Sequence, residues 1–463
     1  MSSSLSRPIA VAAAVLLAGC SLMPTYERPA APVPAAFPYP AAEEGVAARE
    51  LPWQQFFADE RLRALVTTAL ANNRDLRVAI LNIEQARAQY DIRRADRTPT
   101  LGVTASGSRA PNASGSTATS YTVAFGFSAW EIDFFGRIAS LGEAALAQYL
   151  ATEEGRRAAQ MTLVASVAGT WLNLTADEEL LALTQQTLAT REESLRLTRL
   201  RFEGGASSEI DFRQAESLTE TARATLAQLQ RQRATDLNAL GLLLGAPVPA
   251  DFRVGVTTET VRLPDLPAGV PSEVLVQRPD VRQAEQALVA ANANIGAARA
   301  AFFPKISLTA GVGTASGDLS GLFKGGSWGF TAAPALLQPI FDAGRNRANL
   351  ASAQAGRDIA VAQYERAIQA AFREVADALA GRATLGEQVD AQARVAEAEA
   401  ARFRLARLRY EGGVASYLDL LDAQRSLFTA QQALVQARLA RLQNQVQLYR
   451  SLGGGWSEPA AAR

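Results

Sequence analysis

Four short stretches of the chain alternate apolar and small polar residues at every second position. Leu101, Val103 and Ala105 alternate with Gly102, Thr104 and Ser106, and Tyr121, Val123, Phe125 and Phe127 with Thr122, Ala124, Gly126 and Ser128. Further on, Ile306, Leu308, Ala310 and Val312 alternate with Ser307, Thr309, Gly311 and Gly313, and Trp328, Phe330 and Ala332 with Gly329 and Thr331. A period of two predicts strands of about ten residues, each with one apolar and one small polar face. Ten tilted residues cover roughly 25 Å, the height of the apolar band of an outer-membrane barrel. A soluble hairpin packed on a helix would alternate in the same way. The strands of each pair are joined by turn-rich segments, 107–120 and 314–326, which read as surface loops.

Around these strands the pattern is helical. Stretches at about 59–97 and 272–302 precede the strand pairs, and much longer ones at about 137–202 and 345–410 follow them. A Gly-Gly break then leads to a further helix at 208–244 or 416–452. Sixty-odd helical residues span about 100 Å, more than an ordinary globular domain, so such helices must pack side by side. Val167, Leu174, Leu181, Leu188, Leu195 and Phe202 recur every seven residues, a coiled-coil seam. A plain long coiled coil would carry the same stripe, and only the interrupting strands distinguish the two.

The pattern occurs twice. Arg201–Asp211 (RFEGGASSEID) matches Arg409–Asp419 (RYEGGVASYLD) at a displacement of 208 residues, which also pairs Gly136 with Gly344 and Gly245 with Gly453. Earlier in each copy, Asp75 matches Asp280 and Pro99 matches Pro304 at a displacement of 205. Register held over such lengths marks an internal duplication. It divides the chain into a leader (1–19), a Pro-rich tether (20–50) and a first repeat (51–245) with strands at about 99–132 and a tip at 201–208. A linker (246–271), a second repeat (272–455) with strands at about 304–337 and a tip at 409–416, and a tail (456–463) follow. Four strands cannot close a barrel, and an open sheet edge cannot sit in lipid. Several chains must therefore share one barrel, and periodicity does not choose between eight strands from two chains and twelve from three.

Composition removes most enzymes. The 463 residues hold 46 basic and 46 acidic side chains, no His and a single Cys. That excludes His-based triads, His-ligated zinc and an intrachain disulfide, and balanced charge gives no footprint for nucleic acid. Lys305 and Lys324 are the only lysines. Arg7 followed by the apolar run Ile9–Ala18 reads as a secretory signal too short to span a bilayer. It ends in Leu17-Ala18-Gly19-Cys20, which resembles a bacterial lipobox, making Cys20 an acylated N-terminus. Ser21 after the Cys, by resemblance to sorted lipoproteins, favours the outer membrane. Six prolines between Pro24 and Pro40 make the following segment an extended tether.

Pro24–Pro29 (PTYERP), Trp130–Arg137 (WEIDFFGR), Gln277–Glu285 (QRPDVRQAE), Phe303–Leu308 (FPKISL) and Pro339–Arg345 (PIFDAGR) occur in that order. Tyr417–Ser426 (YLDLLDAQRS) and Leu448–Trp456 (LYRSLGGGW) complete the set. Together they resemble the TolC-like outer-membrane efflux channels, in their OprM/NodT-type lipoprotein branch, from the lipobox to Trp456. The resemblance implies a mainly α protein with a β-barrel part. Two repeats of long helices and β-hairpins would form a homotrimer with a twelve-stranded barrel, continued by a periplasmic α-helical tunnel. The linker and tail would form an equatorial girdle around the tunnel. Such channels are passive conduits working with an inner-membrane efflux pump and a periplasmic adaptor (membrane fusion) protein. The resemblance implies no enzyme activity, no metal and no cofactor beyond the covalent lipid on Cys20, with outer-membrane lipid as surroundings. A rival from another class, a structural coiled-coil envelope lipoprotein or adaptor without a pore, would explain the heptads and anchor but not four symmetrically placed strands.

Two groups of residues carry candidate chemistry. Gly204-Gly205 and Gly412-Gly413 reverse one helix into the next, and glycine suits such a turn. By resemblance, Arg201, Gly204 and Gly205, with Arg409, Tyr410, Gly412 and Gly413, are tips that meet the adaptor. Asp419 and Asp422, three residues apart on one helix face, match acidic positions that line the closed periplasmic aperture in the family. Three chains would bring six carboxylates toward one axis, each pair repelling by ~1 kcal/mol in water and more at lower dielectric. Ser416-x-x-Asp419 is equally a helix-capping pattern, repeated at Ser208-x-x-Asp211. Asp422 lies beyond the cap and is matched by Gln214 in the first copy, which makes it the stronger gate candidate.

Overall fold

The computed structural model describes residues 21–40, 45–111, 116–249, 252–269 and 271–456. It divides into two compact units. One comprises Met1–Ala30, Leu81–Glu154 and Arg282–Arg366 and holds the strands. The other comprises Ala31–Ile80, Gly155–Val281 and Ala367–Arg463 and holds the helical hairpins.

The strands β1 (Gly102–Pro111), β2 (Thr117–Glu131), β3 (Lys305–Ser316) and β4 (Trp328–Leu337) form one antiparallel meander in the order β1-β2-β3-β4. Both outer strands are exposed along their whole length. Val103 pairs with Phe125, Phe125 with Val312 and Val312 with Phe330, so one apolar row crosses all four strands. The row on the opposite face is Gly102, Gly126, Gly311 and Thr331. Here neighbouring strands come so close that a Cβ on Gly126 would sit 2.1 Å from the Ala310 carbonyl oxygen. Glycine lets the sheet curl tightly toward its small-residue face. A bulge between Phe127 and Trp130 interrupts the β2–β3 ladder; there Ala129 takes φ 53° and donates its N–H to Thr309 Oγ1 at 2.9 Å.

The helices preceding the strands are broken, contrary to the single stretches expected at about 59–97 and 272–302. The first divides into α2 (Glu60–Asn72) and α3 (Arg74–Ala95), after a short α1 (Trp53–Phe56). Asn73 is extended between them: its Oδ1 accepts from Leu76 N at 2.9 Å, capping α3, and its Nδ2 donates to the Leu243 carbonyl. The second divides into α6 (Pro271–Val274), a 3₁₀ turn and α7 (Pro279–Ala300). Arg278 is extended because Pro279 follows it. Arg278 is buried, forks onto Asp280, reaches Glu374 at 2.8 Å and donates to the Ser451 carbonyl. Leu243 and Ser451 correspond in the two copies, so Asn73 and Arg278 fasten equivalent carbonyls with different chemistry.

The long helices are α4 (Arg137–Glu203) and α8 (Arg345–Glu411), each 67 residues or about 100 Å. They reverse into α5 (Glu209–Leu244) and α9 (Tyr417–Ser451). In α4 the heptad stripe is buried only at Val167 and Leu174; Leu181, Leu188 and Leu195 are half-buried and Phe202 is exposed. The buried line in the distal half is instead Asp177, Thr184, Arg191 and Thr198, of which Arg191 donates to the Leu218 carbonyl of α5 and lies over the Phe428 ring of α9. No helix among the described residues is long and apolar enough to cross a membrane.

Candidate functional site

Both hairpin turns are built alike. At the first, Gly204 N donates to Leu200 O, Gly205 N to Phe202 O and Ala206 N to Arg201 O at 2.7 Å. At the second, Gly412, Gly413 and Val414 repeat this pattern onto Leu408, Tyr410 and Arg409. The long bond from the residue after the left-handed glycine makes each a Schellman turn, with Gly205 at φ 71° and Gly413 at φ 74°. A β-carbon at either position would strain the backbone.

The arginines of the two turns differ. Arg201 donates to the Tyr410 hydroxyl, its guanidinium 5.5 Å from that ring's centre. Arg409 makes no ion pair or side-chain hydrogen bond among the described residues. Phe202 stacks on Phe212 at 5.6 Å in the first turn, and Tyr410 lies 5.4 Å from Tyr417 in the second.

The two acids of the second hairpin also differ. Asp419 Oδ2 accepts from Ser416 N at 3.1 Å and Ser416 Oγ at 2.9 Å, and Asp419 N donates back to that hydroxyl. This is a complete capping box, like the one at Ser208 and Asp211. Asp422 spans the hairpin. Its Oδ2 accepts from Arg402 of α8, and its Oδ1 from Arg425 at 2.6 Å. The Arg402 hydrogen bond is the main cause holding the Asp422 carboxyl below the ordinary range, with smaller help from Arg425. Arg402 also holds Glu399 at 3.1 Å. The structure thus brings Asp422 into a charged cluster with Arg402, Glu399 and Arg425, and leaves Asp419 on the local cap. Arg402 was missed by motif reading. Its signal was the comparison of repeats: where Asp422 becomes Gln214, Arg402 becomes Ser194. Cys20, the expected lipidation site, lies outside the described residues.

Among the described residues no group of three or more acidic, Cys or His side chains could hold a metal. What the arrangement can do is tie the two helices of the second hairpin together by charge, through Arg402 and Asp422, just beyond the turn.

The family model described as "Outer membrane efflux protein" matches residues 65–246 and 270–454, one segment in each repeat. The toluene efflux pump outer membrane protein TtgC of Pseudomonas putida is 47% identical over 457 residues, covering 96% of this chain and 94% of that protein. The antibiotic efflux pump outer membrane protein ArpC, also of Pseudomonas putida, matches with the same identity and coverage. The open-state crystal structure of the Neisseria gonorrhoeae MtrE outer membrane channel superposes with a TM-score of 0.88 at 43% identity, covering 94% of this chain and 99% of that one. With its duplicated fold and hairpin geometry, the chain belongs to the outer membrane efflux protein family and is a non-enzymatic outer-membrane channel of efflux systems.

Proposed function

We propose that three copies of the chain share one twelve-stranded barrel, continued by a tunnel of helical hairpins. Through it, antibiotics and organic solvents such as toluene leave the periplasm. An inner-membrane pump supplies the energy and a periplasmic adaptor meets the hairpin tips at Arg201–Ser208 and Arg409–Ser416. The substrate class follows from the relatives ArpC and TtgC, named for antibiotic efflux and toluene efflux. The carrying observation is the four-stranded sheet with an apolar row on one face and both edges unpaired.

Repeat symmetry supports the closure and gives its register. Gly102 pairs with Gly126, and its counterpart Ser307 with Ala335, so β2 and β4 correspond at a displacement of 209. The internal β2–β3 pairs can therefore be carried over to β4 and β1 of the next copy. Phe127 opposite Ala310 becomes Leu336 opposite Ala105 of the partner subunit, and Tyr121 opposite Ser316 becomes Phe330 opposite Pro111 of the partner subunit. Beyond the bulge the displacement returns to 208, and Ile132 N donating to Ile306 O becomes Ile340 N donating to Leu101 O of the partner subunit. Both halves give one continuous register without a bulge. It also explains why Ile340 and Phe341 are 91% and 89% exposed in a single chain.

The N-terminal strap supports a lipid anchor at Cys20. Leu22 O accepts from Arg299, Pro24 O from Asn292, and Tyr26 and Arg28 bind Glu285, so the strap runs along α7 toward the end that leads into β3. The linker 246–271 is read as part of an equatorial girdle because Val254 N and Thr258 N donate to Glu178 and Glu179 of α4. The test is a cysteine pair, Ala105→Cys with Leu336→Cys, oxidised in outer membranes. Covalent trimers are expected, and chains that remain monomeric would overturn the shared barrel.

A further inference from the structure

At the end of the sheet away from the helices, the apolar face of β3 gives way to hydroxyls. Thr314 and Ser316 follow Val312 on that face, opposite Val123 and Tyr121 of β2. A bare hydroxyl facing hydrocarbon is costly, and here the loop after β3 folds back over both. Thr314 Oγ1 donates to the Leu322 carbonyl and lies 2.7 Å from Ser327 Oγ, and Ser316 Oγ accepts from Asp318 N at 3.2 Å. A Cβ on Gly321 would sit 2.6 Å from Ser316 Oγ, so the loop backbone lies directly on that side chain. Thr314 and Leu322 are 2% and 5% exposed as a result. Lys324 N donating to Gly321 O at 3.1 Å, and Ser327 Oγ to Lys324 O at 2.7 Å, give the loop a fixed shape. What it exposes is apolar. Leu319 and Phe323 are each 67% exposed, and Trp328, opposite Thr314, is 60% exposed. Lys324 follows Phe323 and makes no ion pair among the described residues. In the first repeat the counterpart of Thr314, 205 residues earlier, is Arg109, exposed and paired with Thr119. Arg109 is the only charged residue of the four strands on the apolar face, and it too has no ion pair among the described residues. Glu131 and Lys305 stand on the other face at the helix end, bound to each other at 3.0 Å.

We infer that the loop Gly317–Ser327 is an interfacial anchor that docks the protein on phosphorylated lipid of the membrane's outer leaflet. Leu319 and Phe323 enter the upper edge of the acyl chains, and Lys324 with Arg109 takes the lipid phosphates. The inference rests on the shared-barrel reading, which puts the apolar row in lipid and the loops outside. The occupant is lipid because the loop continues the apolar face over the two hydroxyls without a break. Charge agrees, since Arg109 and Lys324 outnumber Asp318, the one acid at this end of the sheet. Height agrees as well. The run from Tyr121 to Ile132, tilted as barrel strands are, covers roughly 25 Å, the height of the apolar band. Arg109, opposite Thr119, is one step beyond Tyr121 and so falls where headgroups begin. A long basic side chain at that level lays its stem on the apolar rim and its charge among phosphates, and exposed aromatic rings favour the same boundary.

The test uses the full-length protein in phosphatidylcholine vesicles containing lipopolysaccharide, a phosphorylated lipid. Single variants Phe323→Cys, Phe330→Cys and Thr331→Cys carry a fluorescent label, and the acyl chains carry a nitroxide quencher. Quenching at positions 323 and 330 but not at 331 is expected. Quenching at 330 without quenching at 323 overturns the anchor and leaves the shared barrel standing. Labels at 330 and 331 that quench alike overturn both. Lys324→Gln and Arg109→Gln read the headgroup. Each should weaken lipopolysaccharide binding about fivefold, the worth of one cation beside an anionic lipid surface, and leave binding of dephosphorylated lipopolysaccharide unchanged. Equal binding of lipopolysaccharide by the natural protein and the double variant overturns the inference. Competition by millimolar inorganic phosphate would make the two cations a free-anion site and overturn the lipid assignment.

Discussion

At the scale of single residues, the tip acids and a buried carboxyl pair make separable demands. Asp419 caps a helix, so Asp419→Asn should cost about 1 kcal/mol in thermal or denaturant unfolding. Asp422→Asn leaves that cap intact and frees Arg402 and Arg425. Removing both charges should lower the cation preference of the reconstituted channel, read as the reversal potential under a salt gradient; an unchanged potential would reject an acidic aperture. Higher on the hairpin, Asp177 is 6% exposed with one carboxyl oxygen lacking a partner. Burial first, and Asp236 second, push it up to about 7, against the pull of Arg233. The folded state therefore holds a proton there that the unfolded chain has released, and stability from this group falls as pH rises from about 4 to about 7. Asp177→Asn should melt higher than the natural protein at pH 8, by a few kcal/mol at most, and match it below about pH 4. A difference independent of pH would refute the assignment. The Asp419 cap was readable from its Ser-x-x-Asp spacing. Arg402 and Asp236 were not, because each acts across a hairpin on a residue many positions away.

At the scale of elements, the period of two located all four strands, since a sheet with one apolar face leaves that mark directly in the sequence. The same alternation says which substitutions hurt. Arginine at Phe125 or Phe330 should cost roughly 2–4 kcal/mol of membrane assembly if those residues face the bilayer midplane, and little at Thr122 or Thr331, measured as folded yield in outer membranes. Equal losses at all four positions would reject the facing. The bulge at Ala129 was hidden, because a left-handed alanine looks like any other alanine until its partner strand is known. The helix breaks were half legible: Pro279 announces one, while Asn73 needs its bond to Leu243 to be distinguished from a helical asparagine. The heptad stripe named the right helix but not its buried line. Leu181, Leu188 and Leu195 stay half-buried, and Leu195 packs on the cluster of Ala215, Tyr417 and Leu421.

At the scale of the whole molecule, a shared barrel should resist SDS until boiled, migrating as a multimer cold and as a monomer of 49.2 kDa or slightly less hot. Identical migration in both conditions would count against it. Cys20→Ala should abolish labelled-palmitate incorporation and leave the far-ultraviolet helical signal unchanged; retained label would place the lipid elsewhere. The equal span of α4 and α8, from Gly136 to Gly205 and from Gly344 to Gly413, has a mechanical consequence. The two helices act as matched struts. In the proposed shared tunnel, deleting one heptad from a single strut would stagger alternate feet by about 10 Å and spoil a level footing. Deleting it from both would merely shorten the legs, so reach can change only in paired steps, and the duplication keeps the measure of one strut by the other.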